Sequence, residues 1–461
     1  MEQPLVTIVG ATGTGKSKLA VDLATRFNGE IINGDAMQLY RGLPIITNKI
    51  PVDERNGIPH HLMDFIGLEE EPWHINKFRN ECLQQIREVH ARGKLPILVG
   101  GTHYYTQSVL FHGALIGETI GSESPESSDQ EEDSPTRREG WEILEAPPSV
   151  MLEKLREVDP IMAARWHPNE ARKIRRSLEI YLKTGKPASQ VYAEQHRQRQ
   201  SPGDDDGDGG ALTGRLRFPT LVLWVHSERE KLYQRLDGRV DAMMANGLVD
   251  EAKSMWNCLR EKERRGRPVD TTRGIWVSIG FKELRPYFTA LETDATDAED
   301  IKESCVSSIK TSTRQYSSRQ TKWIRTKLWT ALADSHAKSH FFVLDGTDVS
   351  AWEQTVAGPS ERLVHSFLSG ERLPDPKTLS PLALETISER EREEAKRRGS
   401  ADQHPVEKLR QITCDICKKT MTGQEQWEIH LRGRGHRRAL AGIERRAKRD
   451  EYFRQKEMAG S

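Results

Sequence analysis

The chain carries no net charge: 69 Lys and Arg balance 69 Asp and Glu over 461 residues. Such a balance excludes binding to an acidic polymer by bulk charge, so any basic surface must be local. Cysteine is scarce, five in all, which excludes a disulfide scaffold and points to reducing surroundings. Cys82, Cys258 and Cys305 are scattered and read as small core residues. No apolar run approaches the ~20 residues that span a bilayer, so no membrane partner is expected. Hydrophobic residues make up only 36%, which suggests polar linkers or tails beside a normal core. The first strand starts almost at once, leaving no room for a signal or transit peptide. The expected location is the cytoplasm, with mitochondrial or nuclear pools left open, and the expected state is a monomer. The length calls for two or three domains.

What is present begins at residue 5. An apolar run, 5–9, reads as a buried strand, and residues 19–24 have helical spacing. Between them lies Gly10-Ala11-Thr12-Gly13-Thr14-Gly15-Lys16-Ser17, the phosphate-loop pattern G-x-x-x-x-G-K-S. The glycines let backbone N–H groups turn inward, and the helix N-terminus adds partial positive charge. Lys16 reaches outer phosphate oxygens in such a loop, and the Ser17 hydroxyl ligates Mg2+. A second strand, 30–35, ends in Asp35 and leads into Ala36-Met37-Gln38. Ligands of open parallel sheets bind beyond the carboxyl ends of the strands, so Asp35 is expected to face the phosphate loop. A helix N-cap is an equally good reading of this Asp taken alone.

Alternation of strands and helices continues. Residues 78–90 form an amphipathic helix with Phe78, Cys82, Ile86 and Val89 on one face, and 94–99 is a strand running into Gly100-Gly101-Thr102. The fold class expected is α/β, a P-loop NTPase-like parallel sheet core with a helical insertion domain. The core is split into residues 1–116 and 215–346. Between them lie an acidic insert, 117–148, a helical region, 149–199, and an Asp/Gly-rich insert, 200–214. Both inserts are too polar to build a core. Within the helical region, Ile174, Leu178 and Tyr181 share one face, leaving Arg172, Lys173, Arg175 and Arg176 on the others. That basic run is either a solvated face or a nucleic-acid contact. Strands at 220–225 and 341–345 return the chain to the sheet. Arg235 and Arg239 lie four apart on a helix over 230–244. Residues 301–329 interleave Tyr316 and Trp323 with Arg314, Arg319, Lys322 and Arg325. Stacking and backbone contact with RNA, or an amphipathic helix with snorkelling arginines, would both produce this pattern. Residues 347–405 read as a linker, with a solvated mixed-charge helix at 388–398.

The tail, 406–456, holds the remaining cysteines. Cys414-x2-Cys417, twelve residues and then His430-x5-His436 fit a tetrahedral zinc site. Two thiolates come from a knuckle turn and two imidazoles from one helix, so Zn2+ is expected as a structural ion. Trp427 and Leu431 supply the small apolar core. Cationic residues around His430 and His436, continuing in a basic helix to about residue 456, favour nucleic acid as the finger's partner.

In order, the stretches GATGTGKS, GDAMQLYRGL, GIPHHLMD, ILVGGTHYY, ARKIRRSLEIYLKTGK, QRLDGRVDAMMANGL, IGFKEL and RQYSSRQTKWIR resemble the motifs of the tRNA dimethylallyltransferases, also called tRNA isopentenyltransferases. The likeness runs over about residues 6–325, and eukaryotic members carry a similar C-terminal finger. It implies transfer of a dimethylallyl group from its pyrophosphate to the exocyclic amine of the adenosine 3′ to the anticodon. The phosphate loop, Gly10 to Ser17, would then hold the donor's pyrophosphate, with Mg2+ at Ser17. Thr102 and Arg239 match pyrophosphate contacts, with Arg235 as a further one, and Asp35 matches the general base. Residues 35–38, the Arg172–Arg176 helix and the Arg314–Arg325 segment would contact the tRNA anticodon stem-loop. The family's Asp-Ser-Met-Gln reads Asp35-Ala36-Met37-Gln38 here, which loses a hydroxyl beside the base. An ATP-dependent kinase, an RNA-stimulated NTPase or a non-catalytic RNA-binding protein are the alternatives that the phosphate loop alone allows.

Overall fold

The computed structural model describes residues 3–68, 70–113, 141–200, 214–267, 269–399, 411–417, 419–422, 424–443 and 445. Its chain divides into two units, Met1–Glu118 with Asp205–Glu393, and Thr119–Asp204 with Glu394–Ser461.

The first unit is built on β1 (Leu5–Gly10), β2 (Gly29–Asn33), β3 (His60–His61), β4 (Leu95–Val99), β5 (Thr220–His226) and β6 (Phe341–Asp345). They form one parallel sheet in the order β3-β2-β4-β1-β5-β6. Strand β1 is buried along its whole length, because alternate residues feed two separate cores. Leu5 and Val9 join Phe78, Cys82, Ile86 and Val89 of α2 (Ile75–Ala91) on one face. Val6 and Ile8 join Leu19 and Leu23 of α1 (Lys16–Arg26) on the other. A sheet covered on both faces needs apolar strands throughout, and this is why the strands read as continuous runs. The expected strands are all present. The two-residue β3 has no pattern long enough to be read.

After β4 comes α3 (His103–Leu110), and after β5 come α8 (Arg229–Ala245), α9 (Leu248–Arg264), α10 (Phe281–Glu292) and the long α11 (Ala298–Trp323). A π-helical stretch at Ile324–Leu328 joins α11 to α12 (Trp329–Asp334). Residues 347–393 are not a linker. Val356, and Leu363 and Val364 of α13 (Gly358–Leu368), are buried in the α1 face of the core. In α14 (Pro381–Gly399), Ala383, Ile387 and Arg390 recur at spacings of four and three on a buried face. Gly358 and Pro359 disguised α13 as a break, although Pro is tolerated in a first helical turn. Alternating charges likewise hid the inward stripe of α14, so that helix is only partly solvated.

In the second unit, α4 (Pro148–Val158), α5 (Pro160–Arg165), α6 (Ala171–Thr184) and α7 (Ala188–Gln200) enclose Met151, Leu155, Met162, Ile174 and Leu178. Asp159 ties the turns together, its carboxylate accepting the N–H groups of Met162 and Ser189. The insert expected over 117–148 ends earlier than its composition suggested. Residues 141–145 form a 3-10 turn with Leu144 buried. Residues 114–140 and 201–213 lie outside the described residues.

The C-terminal finger is an antiparallel hairpin, β7 (Gln411–Thr413) with β8 (Thr420–Thr422), followed by α15 (Gln424–Arg432). The two histidines do not share one helix, since the helix bends at Gly433 and resumes before His436. Six residues on a straight helix rotate a side chain well past one turn, so this bend lets both rings converge. Trp427 lies against His430 with ring centroids 5.8 Å apart. Leu431 is exposed rather than core. The basic stretch beyond residue 445 lies outside the described residues. Among the described residues, no helix is long and apolar enough to cross a membrane.

Candidate active site

The loop after β1 owes its shape to Gly13 and Gly15, whose φ values of 82° and 92° are left-handed and cost an L side chain dearly. A Cβ on Gly15 would also stand 2.5 Å from the Trp352 ring. Helix α1 starts at Lys16 with no side-chain cap and no acid in its first turn. Its first N–H groups are therefore open to an anion. Inside the loop, Thr14 Oγ1 and Lys16 Nζ both donate to the Ala11 carbonyl, at 2.9 and 2.7 Å. Burial pulls the Lys16 ammonium down to about 8; the Asp35 charge opposes this and Arg239 adds to it. Burial likewise brings the Arg239 guanidinium down to about 10. Arg239 donates to Thr12 Oγ1 at 2.9 Å, and its buried Nε has no partner among the described residues. Two desolvated cations, one with an unmet donor, make a strong anion site.

Asp35 lines a cavity with them, near enough for its charge to act on Lys16. It caps no helix: Met37 N–H donates to its Oδ1 at 3.0 Å in a local turn, and Asn33 Oδ1 accepts the Asp35 N–H at 2.9 Å. Burial raises its carboxyl above the ordinary range; hydrogen bonds from the Met37, Gln38 and Gly101 amides, and the Lys16 charge, pull the other way. A Cβ on Gly101 would lie 3.0 Å from Asp35 Oδ2 and 2.4 Å from Gln320 Nε2, so a larger residue there would displace both side-chain ends. Thr102 Oγ1 accepts the Ala36 N–H at 3.0 Å, so this threonine holds the loop that carries Asp35. Gln38 Nε2 donates to the carbonyls of Thr47 and Asn48 at 3.3 and 3.0 Å.

These groups line one cavity of about 690 Å³. The phosphate loop and α8 contribute Thr12, Gly13, Gly15, Lys16, Ser17 and Arg239, and the loops after β2 and β4 contribute Asp35, Met37, Gln38 and Thr102. Ile46, Met243, Ile279 and Ile309 add an apolar wall. Gly10, Ala11 and Thr14 shape the loop without lining the cavity, and Ala36 contributes only its amide.

Several expected residues lie elsewhere. Arg235 does not line the cavity: its guanidinium is engaged by Ser227 Oγ and by the carbonyls of Gly13, Gly346 and Thr347. It braces the phosphate loop from behind. Arg314 pairs with Asp237 at 2.6 Å, Arg325 pairs with Glu389, and Lys322 does not reach the cavity. Arg319 does line it. In α6, Lys173 pairs with Glu170, Arg175 with Glu145 and Glu179, and Arg176 with Glu179. Tyr316, expected on an RNA-facing surface, lines the cavity instead. Trp323 packs edge-on against Tyr104.

Sequence reasoning missed the inward face of α11. Ile309, Thr313, Tyr316 and Gln320 recur at spacings of four, three and four and all line the cavity. That helical stripe was the available signal, masked by the arginines between.

In the finger, one ligand atom each of Cys414, Cys417, His430 and His436 lies within 4.8 Å of the other three. Cys414 Sγ is 3.5 Å from His436 Nδ1 and Cys417 Sγ is 3.1 Å from His430 Nε2. Two thiolates and two imidazoles converging so closely fit tetrahedral Zn2+ and leave no open position, as a structural ion requires.

The profile of the IPP transferase family matches residues 38–327, and that of a zinc finger of C2H2 type matches residues 412–436. The tRNA dimethylallyltransferase of Saccharomyces cerevisiae is 35% identical over 97% of this chain and 94% of its own. The human tRNA dimethylallyltransferase is 32% identical over 94% and 85%. A solved structure of a eukaryotic dimethylallyltransferase acting on tRNA superposes with a TM-score of 0.71 at 34% identity, covering 98% of this chain and 99% of that one. With a family profile over more than half of its length and relatives at 32–35% identity over nearly all of it, the chain belongs to the tRNA dimethylallyltransferase family.

Proposed function

We propose that this chain transfers a dimethylallyl group from dimethylallyl pyrophosphate to the exocyclic amine of the adenosine 3′-adjacent to the anticodon in tRNA. The observation that carries the reading is one cavity lined together by Lys16 and Arg239, by Asp35 and by apolar side chains. The amides of the phosphate loop, Lys16 and Arg239 hold the pyrophosphate and neutralise the charge that grows on it as it leaves. Mg2+, bound at the Ser17 hydroxyl and the donor's own oxygens, would add charge neutralisation to that leaving group. The adenine nitrogen bonds to the allylic carbon as the bond from carbon to pyrophosphate oxygen breaks. The amine proton passes to Asp35. An exocyclic amine is a weak nucleophile, and a buried carboxylate raised above its ordinary range is a better proton acceptor than a free one.

The adenine must leave the anticodon stack to enter the cavity. Arg319, which lines that cavity, offers a cation to the flanking backbone. Arg314, Arg325 and the α6 cations hold acidic partners in the free protein and exchange them for phosphates on binding. Zinc folds the finger, whose cationic face adds a further phosphate contact. The test is incubation of the purified chain with labelled dimethylallyl pyrophosphate, Mg2+ and tRNA unmodified at that adenosine. Label appears on the tRNA if the reading holds. ATP hydrolysis with no label on tRNA would replace it with the NTPase reading.

A further inference from the structure

Helix α11 contributes a buried amide that this chemistry leaves unused. Gln320 is 4% exposed and bonds two backbone groups far from it in sequence. Its Oε1 accepts the Thr12 N–H at 2.8 Å, and its Nε2 donates to the Gly101 carbonyl at 2.9 Å. An amide has one accepting and one donating end, and each here meets its complement. The two partners belong to different loops, those that follow β1 and β4. Thr12 lies in the phosphate loop and its hydroxyl accepts from Arg239 at 2.9 Å. A Cβ on Gly101 would stand 3.0 Å from Asp35 Oδ2, and Thr102 beside it accepts the Ala36 N–H at 3.0 Å. Tyr316, one turn earlier on α11, lines the same cavity.

We propose that Gln320 is a positioning residue that fixes the register between the loop holding the prenyl pyrophosphate and the loop presenting the base for the adenine amine. The inference rests on the reading of Asp35 as that base. Transfer needs the amine nitrogen and the allylic carbon about 3–3.5 Å apart and aligned, and a misplacement of about 1 Å costs on the order of 10²-fold. A single rigid amide, satisfied at both ends, resists that slip. When the register is lost, the carbon–oxygen bond to pyrophosphate still breaks, but water supplies the new bond. The products are then dimethylallyl alcohol and pyrophosphate, with the water proton released to solvent.

Two substitutions separate register from folding. Gln320→Met removes both bonds at similar volume. Gln320→Glu keeps an acceptor for Thr12 and sets a carboxylate oxygen against the Gly101 carbonyl. In the full chain with labelled dimethylallyl pyrophosphate and tRNA, prenyl transfer and pyrophosphate release are measured separately, with donor affinity measured alone. Transfer is expected to fall about 10²-fold in Gln320→Met. Donor affinity should change by less than about 3-fold, within the net worth of one hydrogen bond. In both variants pyrophosphate released per prenyl transferred rises well above the wild-type ratio. A ratio that stays at the wild-type value in Gln320→Glu, or transfer and donor binding falling in step in Gln320→Met, makes Gln320 a packing residue and overturns the proposal. Asp35→Asn in the otherwise native chain tests the base separately, because retained transfer there would remove the base reading without altering the Gln320 ratio.

Discussion

The two ends of the cavity are built by different means. The phosphate end is made mostly of backbone, from a short contiguous loop whose amides and helix N-terminus point inward because Gly13 and Gly15 are left-handed. The acceptor end is assembled from side chains on Asp35, Thr102, Tyr316 and Gln320, which meet only once the sheet and α11 are in place. Backbone donors cannot be deleted by substitution, so changes at the phosphate end act through charge and register as affinity. Side chains can be deleted, so changes at the acceptor end register as rate.

The largest effect should come from Asp35→Asn. Loss of a general base lowers single-turnover transfer by about 10²–10⁴-fold, with donor binding little changed. Parallel loss of donor binding would place Asp35 at the phosphate end and erase the contrast. Next comes Lys16→Met. A hydrogen bond from a charged group contributes about 1.5–3 kcal/mol, so donor affinity measured at equilibrium should weaken about 10–100-fold. A rate loss at unchanged affinity would show that Lys16 acts only on the departing pyrophosphate.

The same contrast governs how much was legible in the sequence. Contiguous features were: the phosphate loop, the five longer strands and the four zinc ligands each announce themselves within a few dozen residues. Asp35 was visible as an acid at a strand end, but its raised carboxyl depends on burial that only packing supplies. Arg235 and Arg239 looked equivalent at one helical spacing. The fold separates them, turning Arg235 toward the carbonyls of Gly346 and Thr347 and leaving Arg239 in the cavity. Tyr316 and Gln320 were hidden because flanking arginines made α11 look like a basic surface. Residues 347–393 read as a linker because Gly358, Pro359 and alternating charges are local signals, whereas Leu363 and Ile387 are buried by distant partners.

A change of pH should act on the two ends in opposite directions. Lys16, held down to about 8 by burial, is charged below that pH and loses its proton above it. The ratio kcat/KM for the donor therefore falls above about pH 8, by about tenfold per pH unit, since this ratio reports groups of the free enzyme. Asp35 must be ionised to take a proton, so transfer also falls on the acid side, in a range above that of an ordinary carboxylate. Arginine stays charged throughout, so Lys16→Arg should flatten the alkaline limb and leave the acid limb in place. An alkaline limb that survives Lys16→Arg would assign it to a group other than Lys16.

The smallest effect is expected at the finger, to which the proposed function assigns phosphate contacts rather than the reacting atoms. Chelation of zinc, or Cys414→Ser, removes a ligand set that closes this small module and unfolds it. Affinity for tRNA should then weaken only about 3–10-fold at moderate salt, as expected when a few phosphates are no longer neutralised. The salt dependence of binding should become shallower by about one unit of slope for each such phosphate. Donor affinity and the melting of the sheet core should not move. A drop in donor affinity on chelation would tie the metal to the phosphate end of the cavity. Unchanged tRNA affinity and salt slope would take the finger out of tRNA binding and leave the cations of α6 and α11 to supply it.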